Sequence, residues 1–350
     1  MVVQEDGRKY PLKRPTAHKV PVPRWTLKLP EDITHIYTLY IGVQSHSEDQ
    51  SAIKRAGQSV QEWLDGSSGQ ATAVDVFRVT HGFDVVDSKV WVAYWTEPEG
   101  FSTKVKSLDL QKLWNHLGSD KKNVGLWREY FITPIERLET NYASLKHQPG
   151  LAQIPGSEFP EHNLTAYWGA GRDRIPAAAY DLFKPPEHTE APLSTPTGVG
   201  ERLTGTNYDN MCHIRKSCRS ELFSICTAAD VQPGSGQWWT QCDSVEREAY
   251  EGDDGLQKTL MNGMQYLWDH PDETGTIGLR FLQNLDADNE PIRETCGAGF
   301  HRNWEDLEQW SSRHPSHLAI FNGAMRHAKR FGPDRNFMQV RTQSLCRGQC

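Results

Sequence analysis

No stretch of this chain is apolar for the roughly 18 consecutive residues that a membrane-crossing helix needs. Met1 to Arg24 is polar and punctuated by prolines, without the apolar centre of a secretory signal, so the expected location is the cytoplasm. A basic excess is also missing. Lysine and arginine number 38 against 45 aspartates and glutamates, a net charge of -7, which disfavours nucleic acid and anionic membrane as partners. Cysteine is sparse and scattered, seven residues without a C-x-x-C pair, so neither a zinc ribbon nor a disulfide scaffold is indicated. There is no Gly-x-Ser-x-Gly elbow, which removes support for a triad hydrolase.

What the chain does have is 350 residues, enough for one large domain or two ordinary ones. His35–Gln44 is rich in β-branched and aromatic residues and predicts a buried strand. Ile53, Ala56, Val60 and Leu64 recur at helical spacing, followed by strands near Val74–Val79 and Lys89–Trp95 and a helix after Pro98. A further strand-like run, Gly125–Asn141, is expected to bend at Pro134. Residues 142–207 read as loop. The second half then repeats the outline: a strand at Asn210–Arg215, a helix near Leu256–Trp268, strands at Ile277–Leu285 and Arg293–His301, and a helix at Trp304–Arg313. Such a repeat implies two α+β units whose sheets face each other across one core.

Three segments carry candidate chemistry. In His314-Pro315-Ser316-His317, Pro315 suits a first helical position, so His314 closes one helix and His317 enters the first turn of the next beside Leu318, Ile320 and Phe321. An imidazole on an apolar wall is a core or cap residue, a zinc ligand lacking an evident third partner, or a heme ligand. In Arg172-Asp173-Arg174, which follows Tyr167-Trp168-Gly169, one arginine pairs with Asp173 as a structural ion pair, or a guanidinium holds a polar substrate group in a dry pocket. The third is Asp209–Arg215 with the later Ser235-Gly236-Gln237.

Together with Tyr40–Gln44, Ala93–Pro98, Trp127-Arg128-Glu129 and Glu139-Thr140, these segments resemble the heme-containing aldoxime dehydratases from about Tyr40 to about Phe331. The resemblance implies an α+β fold of duplicated ferredoxin-like units (the dimeric α+β barrel type), with antiparallel sheets facing a heme pocket, and a homodimer. It implies heme b, ferrous in the active form, and dehydration of R–CH=N–OH to a nitrile and water through direct coordination of the oxime nitrogen to the iron. His317 matches the family's axial heme ligand, Arg174 its distal arginine, and Ser235 its distal serine, with Ser217 as the rival. The implied organisation is an N-terminal extension (1–30), a first ferredoxin-like unit (31–150), a connection carrying the distal arginine (151–207), a second unit with the heme ligand (208–335), and a tail (336–350).

Two segments depart from the family pattern. The distal serine should follow Ile214-Arg215 directly, but Lys216 follows, and 216–234 reads as an insertion. Its ends, Arg-Lys-Ser and Pro-Gly, are encodable with a splice donor and an acceptor, as a retained intron would be. The tail, Asn336–Cys350, contains no histidine where the family places its distal acid histidine. His327 lies about 1,000° of helical rotation past His317, off the ligand face. The alternative to a dehydratase is therefore a heme-binding protein without that activity; a heme peroxidase is a third reading.

Overall fold

The computed structural model describes residues 7–21, 23–48, 50–143, 145, 149–183, 199–204, 212–219, 245–332 and 339–346. The first half runs β1 (His35–Ser45), α1 (Ser51–Asp65), β2 (Ala73–Gly82), β3 (Lys89–Trp95), α2 (Pro98–Ser107), α3 (Leu110–His116) and β4 (Val124–Pro134). Its strands lie in the order β2-β3-β1-β4, all antiparallel. The bend expected at Pro134 is present: a single 3-10 turn over Ile135–Arg137 separates β4 from β5 (Leu138–Tyr142). The one helix expected after Pro98 is two, because Leu108 takes an extended conformation between them. The connection contains the short helix α4 (Ala170–Arg174) and β6 (Val199–Thr204), which pairs in parallel with β4.

The second half repeats the wiring. β7 (Cys212–Arg219) is followed by a helical stretch, α5 (245–251), then α6 (Leu256–Asp269), α7 (Pro271–Thr274), β8 (Thr276–Leu285) and β9 (Pro291–His301). Helices α8 (Trp304–Arg313) and α9 (Pro315–Phe331) and strand β10 (Gln339–Cys346) complete it. Its strands lie in the order β10-β7-β9-β8, the same permutation as the first half. Each half is thus a β-α-β-β-α-β unit with antiparallel strands, the ferredoxin-like pattern. The two join through β2 and β8, where Phe77, Arg78 and Val79 pair with Asn284, Gln283 and Leu282. Among the described residues the result is one open ten-stranded sheet edged by β5 and β6.

The sheet curls so that its halves face each other. Tyr40 and Phe131 of the first half meet Phe300 of the second, with ring centroids 6.0 Å apart in both cases. Side chains alternate across a strand, so every second residue enters this core. Cys296, Ala298 and Phe300 do so from β9, and Trp127 and Phe131 from β4. Gly42 makes room for Trp127: a Cβ there would lie 2.0 Å from the indole. Among these aromatic rings lies Arg280, whose Nη1 and Nη2 each donate to Glu129 at 2.8 Å and whose Nε donates to Asp84 at 2.5 Å. Burial alone would pull its pKa down, but Asp84 and Glu129 outweigh that and raise it, so Arg280 is held as a cation.

The outer faces are covered by helices. Ile53, Ala56, Val60 and Leu64 of α1 bury themselves on β1 and β3, as their spacing predicts. On the second half, Leu267, Leu307, Trp310 and Ile320 of α6, α8 and α9 cover β8. Of the faces expected to border a heme pocket, it is this outer face of the second unit that borders a cavity; the facing surfaces of the two halves are filled with side chains.

Candidate active site

A cavity of about 340 Å³ lies between the outer face of β8 and β9 and the helices above it. Its floor is Leu279 and Phe281 from β8 with Thr295, Gly297, Gly299 and His301 from β9. Leu260, Met264, Trp310, His317 and Ile320 cover it, and Glu139 with Tyr167–Arg174 closes one side. The lining is mostly apolar. On β9 the residues with the opposite parity, Cys296, Ala298 and Phe300, point into the core, so a single pleat serves both surfaces.

The helix break at His314-Pro315 is as the sequence predicts. The His314 Nδ1 accepts the Ser316 backbone N–H at 3.2 Å, capping α9, and its ring lies 4.1 Å from that of Tyr266. His314 is therefore a cap. His317, two residues into α9, lines the cavity, with the Trp310 indole edge-on at 4.6 Å and that of Trp168 at 6.2 Å. Trp168 also leans on Phe321, 5.1 Å away. Among the described residues, no three His, Cys, Asp or Glu side chains are grouped to hold a metal ion. His327 faces away from the cavity and makes a buried 3.1 Å contact with Glu246 of α5, which ties α5 to α9.

The arginine pair behaves differently from expectation. Asp173 binds neither Arg172 nor Arg174. Its Oδ2 accepts the backbone N–H groups of Lys13 (2.8 Å) and Arg14 (3.1 Å) and the Tyr167 hydroxyl (2.8 Å). Arg172 forks onto Glu308 of α8 at 3.2 and 3.0 Å. Burial would raise the pKa of Glu308, yet Arg172 and Lys13 outweigh it and lower it, so this carboxylate stays ionised. Arg174 turns into the cavity wall, where its Nε donates to Glu139 at 2.7 Å and its Nη1 to the Leu164 carbonyl at 2.8 Å. Its Nη2 makes no hydrogen bond among the described residues. Glu139 was visible in the sequence only as part of the segment Glu139-Thr140; its burial follows from the pairing of β5 with β10, which the sequence of β5 does not reveal.

Two more histidines surround the site. His301, 2% exposed, lines the cavity floor and is kept neutral by burial, its pKa lowered to about 4. His162 is lowered to about 4 as well, by burial and then by Arg174 and Arg24; its ring bonds Asn141 at 3.2 Å and accepts the Leu164 N–H at 3.2 Å. Its Nδ1 accepts from Leu164 and its Nε2–H donates to Asn141, so both nitrogens are bonded within the protein.

Ser235 lies outside the described residues. Its rival Ser217 is on β7 opposite Cys296, which belongs to the core, whereas Lys216 is opposite Gly297, which lines the cavity. β7 continues through Arg219, past the start of the expected insertion.

A porphyrin needs an axial donor, a flat apolar slot and exclusion of bulk water. The His317 imidazole between two indoles, in a mostly apolar cavity whose floor includes Gly297 and Gly299, fits the first two of these needs. The model of the haem-containing dehydratase family matches residues 39–228 and 234–343. The chain belongs to this family. The match omits only 229–233 in between, inside the expected insertion, and extends into β10. The phenylacetaldoxime dehydratase of Bacillus sp. strain OxB-1 is 29% identical over 90% of this chain and 83% of its own length. The aliphatic aldoxime dehydratase of Pseudomonas chlororaphis is 27% identical over 88% of this chain and 81% of its own. A crystal structure of an aldoxime dehydratase superposes with a TM-score of 0.75 at 24% identity, covering 97% of this chain and 90% of that one. Another, in complex with butyraldoxime, gives 0.73 at 22% identity, covering 97% and 88%. These two structures show that this haem-containing dehydratase shares their fold.

Proposed function

We propose that this protein is a lyase that holds heme b through His317 and dehydrates aldoximes to nitriles and water. The observation that carries the proposal is one cavity with an imidazole on its helical wall and an Arg174–Glu139 ion pair at its side, in a haem-containing dehydratase. When bound, a reduced heme supplies the electron density that weakens the N–O bond of an oxime. The protein's own groups do the rest. Glu139 and the Leu164 carbonyl hold Arg174 so that Nη2 remains to donate to the departing hydroxyl. Ser235 is the second donor in this proposal. Trp310 and Trp168 fix the plane of the His317 ring. The apolar lining keeps water from competing for these donors. Cytoplasmic location and a homodimer complete the proposal; among the described residues, no helix is long and apolar enough to cross a membrane.

A second reading, heme binding without dehydration, is favoured by one observation. β10, the strand that lies between β5 and β7 at the cavity side of the sheet, contains no histidine. Loss of the hydroxyl and loss of the carbon-bound hydrogen need a proton carrier, and none is offered there.

The purified protein titrated with hemin is expected to give a Soret band that His317→Ala abolishes. Addition of phenylacetaldoxime to the reduced protein is expected to shift that band, with phenylacetonitrile accumulating. A shift without nitrile selects the second reading; a Soret band that survives in His317→Ala refutes the assigned ligand.

A further inference from the structure

We infer that Asp173, together with the N-terminal segment it captures, is the positioning element that aims Arg174 into the cavity. The inference rests on the proposed role of Arg174. The helix carrying that arginine, α4, has five residues. A single isolated turn does not hold itself together in water, since nucleation is unfavourable and so short a helix gains too few hydrogen bonds to repay it. Its approach is also conformationally special: Ala166 has φ +62° and Gly169 has φ +96°. Something outside the helix must therefore determine where its last residue points.

That support is the carboxylate one residue before Arg174. Asp173 is 5% exposed, and a single oxygen, Oδ2, gathers three donors from two distant parts of the chain. Two are backbone N–H groups of Lys13 and Arg14, so they survive any change of side chain there except to proline. The third, the Tyr167 hydroxyl, has its pKa raised by burial and by Asp173, which keeps the proton on the phenol and the donor in place. Lys13 adds a second hold. Its methylenes cover Gly169 so closely that a Cβ there would come within 2.4 Å, and its ammonium reaches Glu308 at 3.1 Å, beside the Arg172 fork. The N-terminal segment, α4 and α8 are thereby fastened at one point. Two further contacts extend the seam on either side: the N–H groups of Lys9 and Tyr10 donate to Ala179, and His18 bonds the Thr165 carbonyl at 2.7 Å.

The test reads the field at the iron and needs no turnover. A cation near the oxygen of bound CO draws electron density into the ligand and lowers its stretching frequency, so the ferrous CO complex of the heme-loaded protein reports where the guanidinium is. Arg174→Gln is expected to raise that frequency. Asp173→Asn is expected to raise and broaden the same band while the unligated ferrous spectrum, set by His317, stays unchanged. Tyr167→Phe, which removes one donor of three, should move it less in the same direction, and carries the test if Asp173→Asn does not fold. A full chain lacking residues 1–14 should resemble Asp173→Asn. If Arg174→Gln moves the band while Asp173→Asn and Tyr167→Phe leave it in place, the positioning role is refuted and that of Arg174 stands. If no variant moves it, Arg174 does not face the iron and both ideas fall.

Discussion

The cavity floor contains an imidazole whose charge state is tied to the fold. His301 is almost completely buried and its pKa is lowered to about 4, against about 6.5 in an unfolded chain. Between these values the unfolded state binds the extra proton and the folded state does not, so stability is full above pH 6.5 and declines as pH falls towards 4. His301→Gln, which has no such proton to bind, is expected to lose less stability than the parent between pH 7 and 4.5, by on the order of 2 kcal/mol. Urea unfolding at the two pH values measures this; parallel losses in both proteins would show that His301 is not the group responsible. His301 was legible only as the end of a strand. Nothing in Phe300-His301-Arg302 says which side of the sheet the ring takes, because that follows from the register with Thr276 and Cys212.

At the level of elements, most strands and helices of both halves were legible because apolar spacing and proline placement determine them locally; α4 and β6, in a stretch read as loop, and β10, in a tail read as off the family pattern, were not. The α8–α9 break at Pro315 and the bend at Pro134 are examples. What was not legible is contact between segments far apart in sequence. Asp173 was expected beside its neighbouring arginines and instead bonds the backbone 160 residues earlier. The β7 register adds a prediction that neither segment could give alone. Removal of 216–234 would make Ser235 follow Arg215, and it would inherit the position opposite Gly297, in the row that lines the cavity. The shortened, heme-loaded protein is expected to bind phenylacetaldoxime about tenfold more tightly, the gain of one well-placed hydrogen bond. A spectral titration of the ferrous form checks this, and an unchanged affinity would remove Ser235 from the site.

At the scale of the molecule, the duplication was readable from the repeated order of elements, but the way the halves meet was not. They share a sheet through β2 and β8 and lock across the core through Arg280, whose carboxylate partners Asp84 and Glu129 belong to the other half. Such a pair is costly to break because the partners remain buried and charged. Arg280→Met is therefore expected to lower stability by about 3–5 kcal/mol, read from the urea midpoint. A loss below about 1 kcal/mol would mean that water reaches the carboxylates.

The wiring of β5 reaches beyond stability. This strand is drawn from the first half of the chain, yet it pairs with β10 and supplies Glu139 to a chamber whose floor and roof come from the second. The two halves are therefore not interchangeable copies. Severed between its halves, one fragment would retain the chamber's floor and roof without Glu139, and the other would retain Glu139 without the chamber it borders.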